Sequence, residues 1–375
     1  MATDDVRIPG KDQLVRVIVA PDSFKGTVSA RHAAVALARG WSAVRPGDEV
    51  SLLPLADGGE GTVDAFAAAS PNAQLRVTRV SGPDGRAVDA SWLLLPDGTA
   101  VTELAESSGL PLMAAPDPLG SSTVGLGEVL AAAREAGAQR IVVGLGGSAS
   151  TDGGTGALRA LGAGFLGPNG RELLPGGGAL LDLAEVDLDG LTPPPPGGVT
   201  LLCDVTAPLL GPAGAAHVFG PQKGASPAQV GLLDEALTRL AGLLRGEPAT
   251  PGMGAAGGTA YGLAAAWGAT IAPGARTVAE LAGLPAALTE CDLVLTGEGR
   301  FDRTSLSGKV VGGVIDLAAA AGVPVGIVAG SLAGEPPASV RLATSLIDHA
   351  GSLEAALAEP ERWLEEAGRA LAARA

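Results

Sequence analysis

Residues 293–309, LVLTGEGRFDRTSLSGK, decide how this 375-residue chain is read. A short apolar run of β-forming residues, Asp292 to Thr296, breaks into Gly297, Glu298, Gly299, Arg300, Phe301 and Asp302. Hydroxyl residues follow, then Gly308-Lys309 and an apolar helical run from Val310 to Ala321. A strand that ends in glycines and acids before a helix marks the carboxyl edge of a parallel sheet, where α/β proteins bind their ligands. Glu298 and Asp302 then lie four positions apart on a loop, where no core asks for a carboxylate. Lys309 stands at the start of the helix, where free backbone N–H groups already favour an anion. Carboxylates for a metal ion and a cation for phosphates in one segment point to phosphoryl transfer.

The same strand-loop-helix grammar recurs at both ends of the chain. Leu14 to Ala20 predicts a buried strand bounded by Pro21-Asp22, followed by Ser23-Phe24-Lys25-Gly26 and a helix from about Ser29 to Val44. Ser29 is its natural N-cap. Glu49 to Leu53 is the next strand; it runs through Pro54 to Thr62 into a helix, Val63 to Ala69. Two such units in succession predict a right-handed parallel arrangement. At the far end, Val323 to Ala329 and Arg341 to Ile347 read as strands, and Glu354 to Ala373 as a closing helix. The middle differs. Leu75 to Val80, Ala87 to Leu95 and Thr99 to Leu104 are strands joined by Pro-Asp-Gly turns at 83–85 and 96–98, an antiparallel pattern without helices. A helix, Thr123 to Ala136, a strand, Arg140 to Gly144, a tetraproline connector at 193–196, and a strand, Val199 to Cys203, come next. Helices over Pro227 to Leu244 and Thr259 to Trp267 complete the insert. The expected architecture is one α/β domain made from both chain ends, with a mixed α+β domain inserted between them.

Composition narrows the class. A chain of 375 residues exceeds what one core usually supports, so two domains are the default. Hydrophobic residues reach 46% and charged residues only 17%, but the excess is Ala and Gly. No run approaches the roughly 18 apolar residues of a spanning helix. Met1 to Gln13 carries Asp4 and Asp5 and no apolar stretch, so it reads as a frayed tail and not as a secretory signal. A net charge of -15 argues against nucleic acid or an anionic membrane as partner. Cys203 and Cys291 are too few for a disulfide scaffold and lack metal-ligand spacing. A soluble cytoplasmic protein is the expectation.

Fifty-seven glycines without a period fall in clusters at strand ends, as backbone-lined loops around a ligand would require. Of the 25 basic residues only Lys11, Lys25, Lys223 and Lys309 are lysines, and the last three stand beside a glycine within a loop motif. A compact ammonium is not interchangeable with a guanidinium where a phosphate must be touched. No P-loop is present: G-x-x-x-x-G-K-[ST] occurs nowhere, and Val310 stands where that motif needs Ser or Thr. Asp57-Gly58-Gly59-Glu60-Gly61-Thr62 reads either as metal or hydroxyl binding or as a cap for the following helix. Gly144 to Ser148 resembles a dinucleotide fingerprint, but residues 153–171 contain no acid for the ribose, which argues against NAD. A nest of backbone N–H groups from Gly147 to Asp152 fits phosphate oxygens better, with Ser148, Ser150 and Thr151 as added donors. Asp204 ends a strand as a metal-linked residue, a base or a turn former. His32, His217 and His349 have no ligand spacing and receive no chemistry.

Six motifs in order, DSFKGTVSA, PLADGGEGT, GLGGSASTDGG, LLCDVTAPLLGPAGAAHVFGPQKGAS, GGTAYGLAAA and LTGEGRFDRTSLSGK, resemble the type I glycerate kinases of bacteria. The resemblance runs from about Val15 to Gly330. It departs at Thr151, where the family often has Asn, and at Arg303, where it often has Gln. It implies ATP-dependent phosphorylation of D-glycerate with Mg²⁺, to 2-phosphoglycerate or 3-phosphoglycerate. It also implies a Rossmann/flavodoxin-like domain from 1–73 plus 289–375, an inserted α/β domain over 74–288, and a site in the cleft between them. Phosphoryl transfer needs a metal ion, a cation on the γ-phosphate and a carboxylate near the attacking hydroxyl. On that pattern Lys25 and Lys309 would touch phosphates or the substrate carboxylate. Asp57, Glu60, Glu298 or Asp302 would hold Mg²⁺, directly or through water, and Asp152 or Asp204 would be the base. Gly146, Gly147 and Ser148 would line the nucleotide phosphates; Ser23, Gly58, Gly59, Ser150, Gly299 and Arg300 complete the expected contacts. A kinase for another small hydroxy or sugar acid, and a non-catalytic glycerate or nucleotide sensor, are the alternatives. The oligomeric state has no signature in the sequence.

Overall fold

The computed structural model describes residues 13–24, 26–306 and 308–375, so the tail at 1–12, Lys25 and Ser307 lie outside the described residues. The chain begins with β1 (Arg16–Val19) and β2 (Glu49–Leu52). The middle supplies β3 (Gln74–Ser81), β4 (Ala87–Leu94), β5 (Thr99–Glu103), β6 (Arg140–Gly144), β7 (Gly164–Leu166), β8 (Glu185–Asp187), β9 (Val199–Leu202) and β10 (Thr270–Ala272). The last third adds β11 (Leu293–Phe301), β12 (Val325–Leu332) and β13 (Val340–Ser345).

Two compact units result. The first comprises the described residues through Asp57 with Asp64–Pro71 and Gly274–Ala375; the second comprises Gly58–Val63 and Asn72–Pro273. Helices Gly274–Leu281 and Leu284–Leu288 therefore sit with the chain ends, where the sequence placed the boundary at 289.

In the first unit, five parallel strands run in the order β13-β12-β11-β1-β2. Counted along the unit's own segments this is the flavodoxin-like order 2-1-3-4-5, in which the winding reverses between the first and third strands. Here that point lies between β1 and β11. Val17 and Val19 of β1 and Leu293 and Leu295 of β11 are buried in one core with Leu37 and Trp41 of helix Ala30–Val44 and Leu364 and Leu371 of helix Pro360–Arg374. Ser29 caps the first of these helices: its hydroxyl accepts from the backbone N–H of His32 at 3.3 Å. The two helices approach backbone to backbone. A Cβ on Gly40 would overlap the Glu365 carbonyl, and one on Gly368 would overlap that of Leu37.

Two expectations change here. The run Gly297–Phe301 is strand and not loop, because β12 also continues and pairs Glu298 with Ala329 and Arg300 with Ser331. Glycine is required rather than merely tolerated there: a Cβ on Gly297 would strike the Val328 carbonyl, and one on Gly330 that of Gly299. The closing helix is two helices, Leu353–Ala358 and Pro360–Arg374, because Pro360 has no N–H to continue the first and suits the first turn of the second.

The second unit holds a six-stranded sheet, β10-β9-β6-β5-β4-β3. The β3-β4-β5 portion is antiparallel, as the Pro-Asp-Gly turns require, and β5-β6-β9-β10 is parallel. Its core gathers Trp92, Leu104, Leu126, Leu130, Ile141, Val143, Leu201, Leu237 and Tyr261. β7 and β8 form a separate antiparallel pair. Among the described residues no helix is long and apolar enough to cross a membrane.

Substituting Gly368→Leu should cost about 1–3 kcal/mol of stability, since it forces apart two helices that touch at their backbones. Urea unfolding would show a lower midpoint at unchanged slope; an unshifted midpoint would rule out the close approach.

Candidate active site

At the carboxyl edge of the parallel sheet, the first unit encloses a cavity of about 330 Å³. Each strand delivers its share: Asp22, Ser23 and Phe24 beyond β1, Asp57 beyond β2, Glu298 to Arg300 on β11, and Gly330 and Ser331 on β12. Lys309, the cap residue of helix Val310–Ala321, also lines it, as do Leu346, Leu353, Ala356, Leu357 and Pro360. The Asp22 N–H donates to the Gly297 carbonyl at 2.8 Å, which carries the first loop along β11 past the end of β1. Only 6% of Asp22 is exposed, and its Oδ1 accepts from the Ser23 N–H at 2.7 Å.

Glu298 is the most constrained group in this cavity. It is 7% exposed; Oε2 lies 3.7 Å from Lys309 Nζ, and Oε1 has no hydrogen-bond partner among the described residues. Burial pushes its carboxyl above the ordinary glutamate range; Ser305 and the Lys309 ammonium pull it back, and the Asp302 charge adds to the rise. Desolvation wins because burial strips water from the carboxylate while the Lys309 ammonium stands 3.7 Å away. Lys309 itself is half-exposed and sits where the first N–H groups of a twelve-residue helix have no intrahelical acceptor.

Asp302 has another task. Its Oδ1 accepts from the Thr304 hydroxyl at 2.6 Å and the Thr304 N–H at 2.8 Å, and Arg300 Nε lies 3.5 Å from Oδ2. The Thr304 hydrogen bonds hold its carboxyl below the usual range, with Lys309 and Arg300 adding to the effect. It shapes the turn Arg303–Leu306 and is absent from the cavity wall.

The remaining sequence candidates belong to the second unit. Glu103, at the end of β5, holds the 58–63 loop: Oε2 accepts from the Gly61 N–H at 3.1 Å and Oε1 from that of Val63 at 2.6 Å. A Cβ on Gly144 would stand 2.7 Å from the Gly58 carbonyl oxygen, and one on Gly146 2.5 Å from the Gly59 Cα. These glycines therefore serve backbone-on-backbone packing, which the phosphate-nest reading of Gly146, Gly147 and Ser148 did not anticipate. Glu60 is exposed on the same loop.

Asp152 is fully buried. Its Oδ2 accepts from the Thr123 N–H and hydroxyl at 2.8 Å each and from the Gly156 N–H at 3.2 Å, and Oδ1 accepts from Gly154 at 3.1 Å. A general base needs a lone pair facing its substrate. Asp152 accepts four hydrogen bonds from the scaffold, the geometry of a positioning carboxylate. Beside it lies a residue that the sequence singled out only as part of a glycine-lysine loop. Lys223, 2% exposed, donates to the Ser150 carbonyl and lies 3.5 Å from the Thr151 hydroxyl. Burial lowers its pKa to about 8, against the opposing attraction of Asp152. Ser148 and Ser150 are buried in the same turn, their hydroxyls 3.2 Å apart. Asp204 follows β9, half-buried and outside the cavity lining.

Of the residues expected at the site, the structure thus gathers Ser23, Asp57, Glu298, Gly299, Arg300 and Lys309 in one cavity and adds Asp22. Gly58, Gly59, Glu60, Gly146, Gly147, Ser148, Ser150, Asp152 and Asp204 belong to the other unit, and Lys25 lies outside the described residues. Asp22 had a signal, an acid directly after a buried strand and a proline. Asp57, Glu60 and Asp302 do not assemble as a metal-ligand set; no group of three or more His, Cys, Asp or Glu suited to a metal occurs among the described residues. A phosphate-bound Mg²⁺ asks for only one or two carboxylates, and Asp57 is the member of that set on the cavity wall.

Comparison with known proteins identifies the family and the fold. The profile of the Glycerate kinase family matches residues 17–375. The chain is 42% identical to glycerate 2-kinase of Escherichia coli K12 over 327 residues, 85% of this chain and 86% of that protein. It is 39% identical to the glycerate kinase of Bacillus subtilis 168 over 372 residues, 96% and 97% of the two chains. A crystal structure from Salmonella typhimurium LT2, named as a glycerate kinase 2, superposes with a TM-score of 0.83 at 36% identity, covering 96% of this chain and 98% of that one.

Lys223→Met should cost about 1–3 kcal/mol near neutral pH, because it leaves the buried Ser150 carbonyl without its Lys223 donor. The ammonium's pKa is about 8 in the fold against an ordinary 10.5, so the native state binds fewer protons and stability should rise with pH across that window. Urea unfolding at several pH values checks both; a wild-type rise that persists in the variant would exclude Lys223 as its source.

Proposed function

Because the chain belongs to the glycerate kinase family, we propose that it transfers the γ-phosphoryl group of ATP to a hydroxyl of D-glycerate. The observation that carries this reading is Glu298, a buried carboxylate whose Oε1 has no partner among the described residues, beside the only described lysine of the cavity. A buried acceptor without a donor is costly, and the hydroxyl of a small acid is the donor that fits.

In this reading the glycerate hydroxyl donates to Glu298 Oε1. As the hydroxyl oxygen bonds to the γ-phosphorus, the bond from that phosphorus to the bridging oxygen breaks, and ADP departs with the electron pair. The hydroxyl proton passes to Glu298, whose raised pKa suits it to hold one. Lys309 and the N–H groups at the head of helix Val310–Ala321 meet the charge on the transferring phosphoryl group. Arg300, largely exposed at the rim, supplies the cation for the glycerate carboxylate. When bound, Mg²⁺ would neutralise β- and γ-phosphate oxygens, and Asp57 is the cavity carboxylate that would hold it. ATP as donor places the reaction in the cytoplasm. The name of the E. coli relative supports attack by the 2-hydroxyl, giving 2-phosphoglycerate.

Incubation with ATP and D-glycerate, followed by phosphorus NMR, should show ADP and 2-phosphoglycerate; the 3-phospho isomer would move the attack to the other hydroxyl. ADP formed only with another hydroxy acid in a substrate panel would keep the kinase and replace its substrate. Lys309→Met should lower turnover by at least about 10²-fold with the fold intact. Glu298→Gln should lower it by about 10²-fold and abolish the acid limb of the pH–rate profile. Near-normal turnover in either variant removes that residue from the mechanism.

A further inference from the structure

One end of the cavity offers glycerate nothing. Its lining changes character along the order of the strands. Asp57, Asp22, Glu298 and Lys309 stand at the ends of β2, β1 and β11, whereas beyond β13 the wall is Leu346, Leu353, Ala356, Leu357 and Pro360. Leu346 and Ala356 belong to the buried core. Leu353 and Leu357 do not: they are 58% and 52% exposed, and four positions apart on helix Leu353–Ala358 they present one face to the cavity. Two leucines left in water on a cavity wall lose the burial that would otherwise favour them, on the order of 1.5–3 kcal/mol each.

Glycerate carries an oxygen on every carbon and cannot cover such a face, and neither can a phosphate chain. Of the two reactants in the proposed reaction, only the heterocycle of the donor has apolar surface to bury. We propose that Leu353, Leu357 and Pro360 form a shelf for the purine base of the phosphoryl donor, whose phosphates run along the carboxyl edge of the sheet toward Lys309. β13 stands two strand spacings, roughly 10 Å, from β11, a distance that a ribose and its phosphates bridge. The polar end then takes the acid and the transferring phosphoryl group, and the apolar end fixes which donor is used. This inference rests on the kinase reading above, but it concerns the donor alone.

Calorimetric titration of the full chain with ADP, and separately with inorganic tripolyphosphate, tests it. Leu353→Asp and Leu357→Asp alter exposed positions, so melting temperatures should stay at the wild-type value. Each should weaken ADP binding by about tenfold, the worth of one well-buried leucine contact, and leave tripolyphosphate binding within about twofold. ADP affinity unchanged in the double variant would overturn the shelf while leaving glycerate phosphorylation intact as a separate finding. Sedimentation run in parallel identifies the rival occupant: variants that dissociate a dimer yet bind ADP normally would make this face a contact between two copies and sink the proposal. A wild-type chain that binds tripolyphosphate and phosphorylates glycerate, but shows no preference for ADP, would also overturn it. Absence of any phosphoryl-donor binding would take the kinase reading down as well.

Discussion

Glu298 is buried because β11 does not stop at its last apolar residue. β12 continues beside it, and the ladder carries Glu298 and Arg300 into pairing with Ala329 and Ser331. A carboxylate in that position loses water and is compensated in part by Ser305 and by Lys309, whose Nζ lies 3.7 Å away. Pairing with β12 on one side fixes the backbone that carries this side chain. Other features of the cavity follow from the same extension. The Gly297 carbonyl receives the Asp22 N–H, so the loop after β1 is drawn along the strand and brings a second buried acid to the same wall. The polypeptide leaves β11 through the turn that Asp302 shapes and enters the helix at Lys309. An acceptor on a paired strand and a cation at a helix head thus share one cavity wall.

Glycine does more structural than ligand-directed work in this chain. Gly297 and Gly330 let β11 and β12 close on one another, Gly40 and Gly368 let two helices touch, and Gly144 and Gly146 admit the backbone of the 58–59 turn. Gly257 extends the pattern, since a Cβ there would overlap the Ser150 carbonyl. The same motif contains Ala256, the one described non-glycine residue at positive φ, at 53°. Glycine clusters at strand ends are therefore ambiguous in sequence. They signal a close backbone approach, and only coordinates distinguish a ligand from another segment of chain as the thing approached.

That ambiguity explains which features were legible beforehand. The N-cap at Ser29, the antiparallel β3-β4-β5 entry and helix Val310–Ala321 follow from local pattern, namely hydrophobic period, turn chemistry and capping, whereas the flavodoxin-like order came only with the family resemblance. Ser23, Asp57, Glu298, Gly299 and Arg300 were recognisable as polar groups and a glycine after strands, and Lys309 as a cation at a helix start. What pattern could not supply was partnership. Asp152 and Glu298 look alike in sequence, each an acid in a glycine-rich run, yet Asp152 has four donors around it and Glu298 Oε1 has none among the described residues. Thr123 and Gly156, which decide the first case, are a helix-entry threonine and an unremarked glycine. The strand character of Gly297–Phe301 was hidden for a similar reason: glycine propensity is unfavourable to strands, and the pairing with β12 that overrides it is non-local.

The scarcity of lysine acquires a physical meaning from the two that the structure describes. A guanidinium presents five donors in a rigid plane and is satisfied best by a bidentate acceptor. At the Ser150 turn, Lys223 meets one carbonyl and one distant hydroxyl inside a closed interior, and a planar fork there would strand several donors without acceptors. Lys309 stands at the head of a helix with its ammonium 3.7 Å from Glu298 Oε2, a compact point charge beside one carboxylate oxygen. Arginine serves in the buried Arg45–Asp48 pair, where its fork finds several acceptors, and in exposed pairs such as Arg79 with Asp89 and Arg276 with Glu280, where water supplies the rest. In a chain this poor in lysine, an ammonium therefore marks the places where the surroundings admit one donor direction at a time. One of those places builds the scaffold of the second unit, and the other faces the cavity of the first.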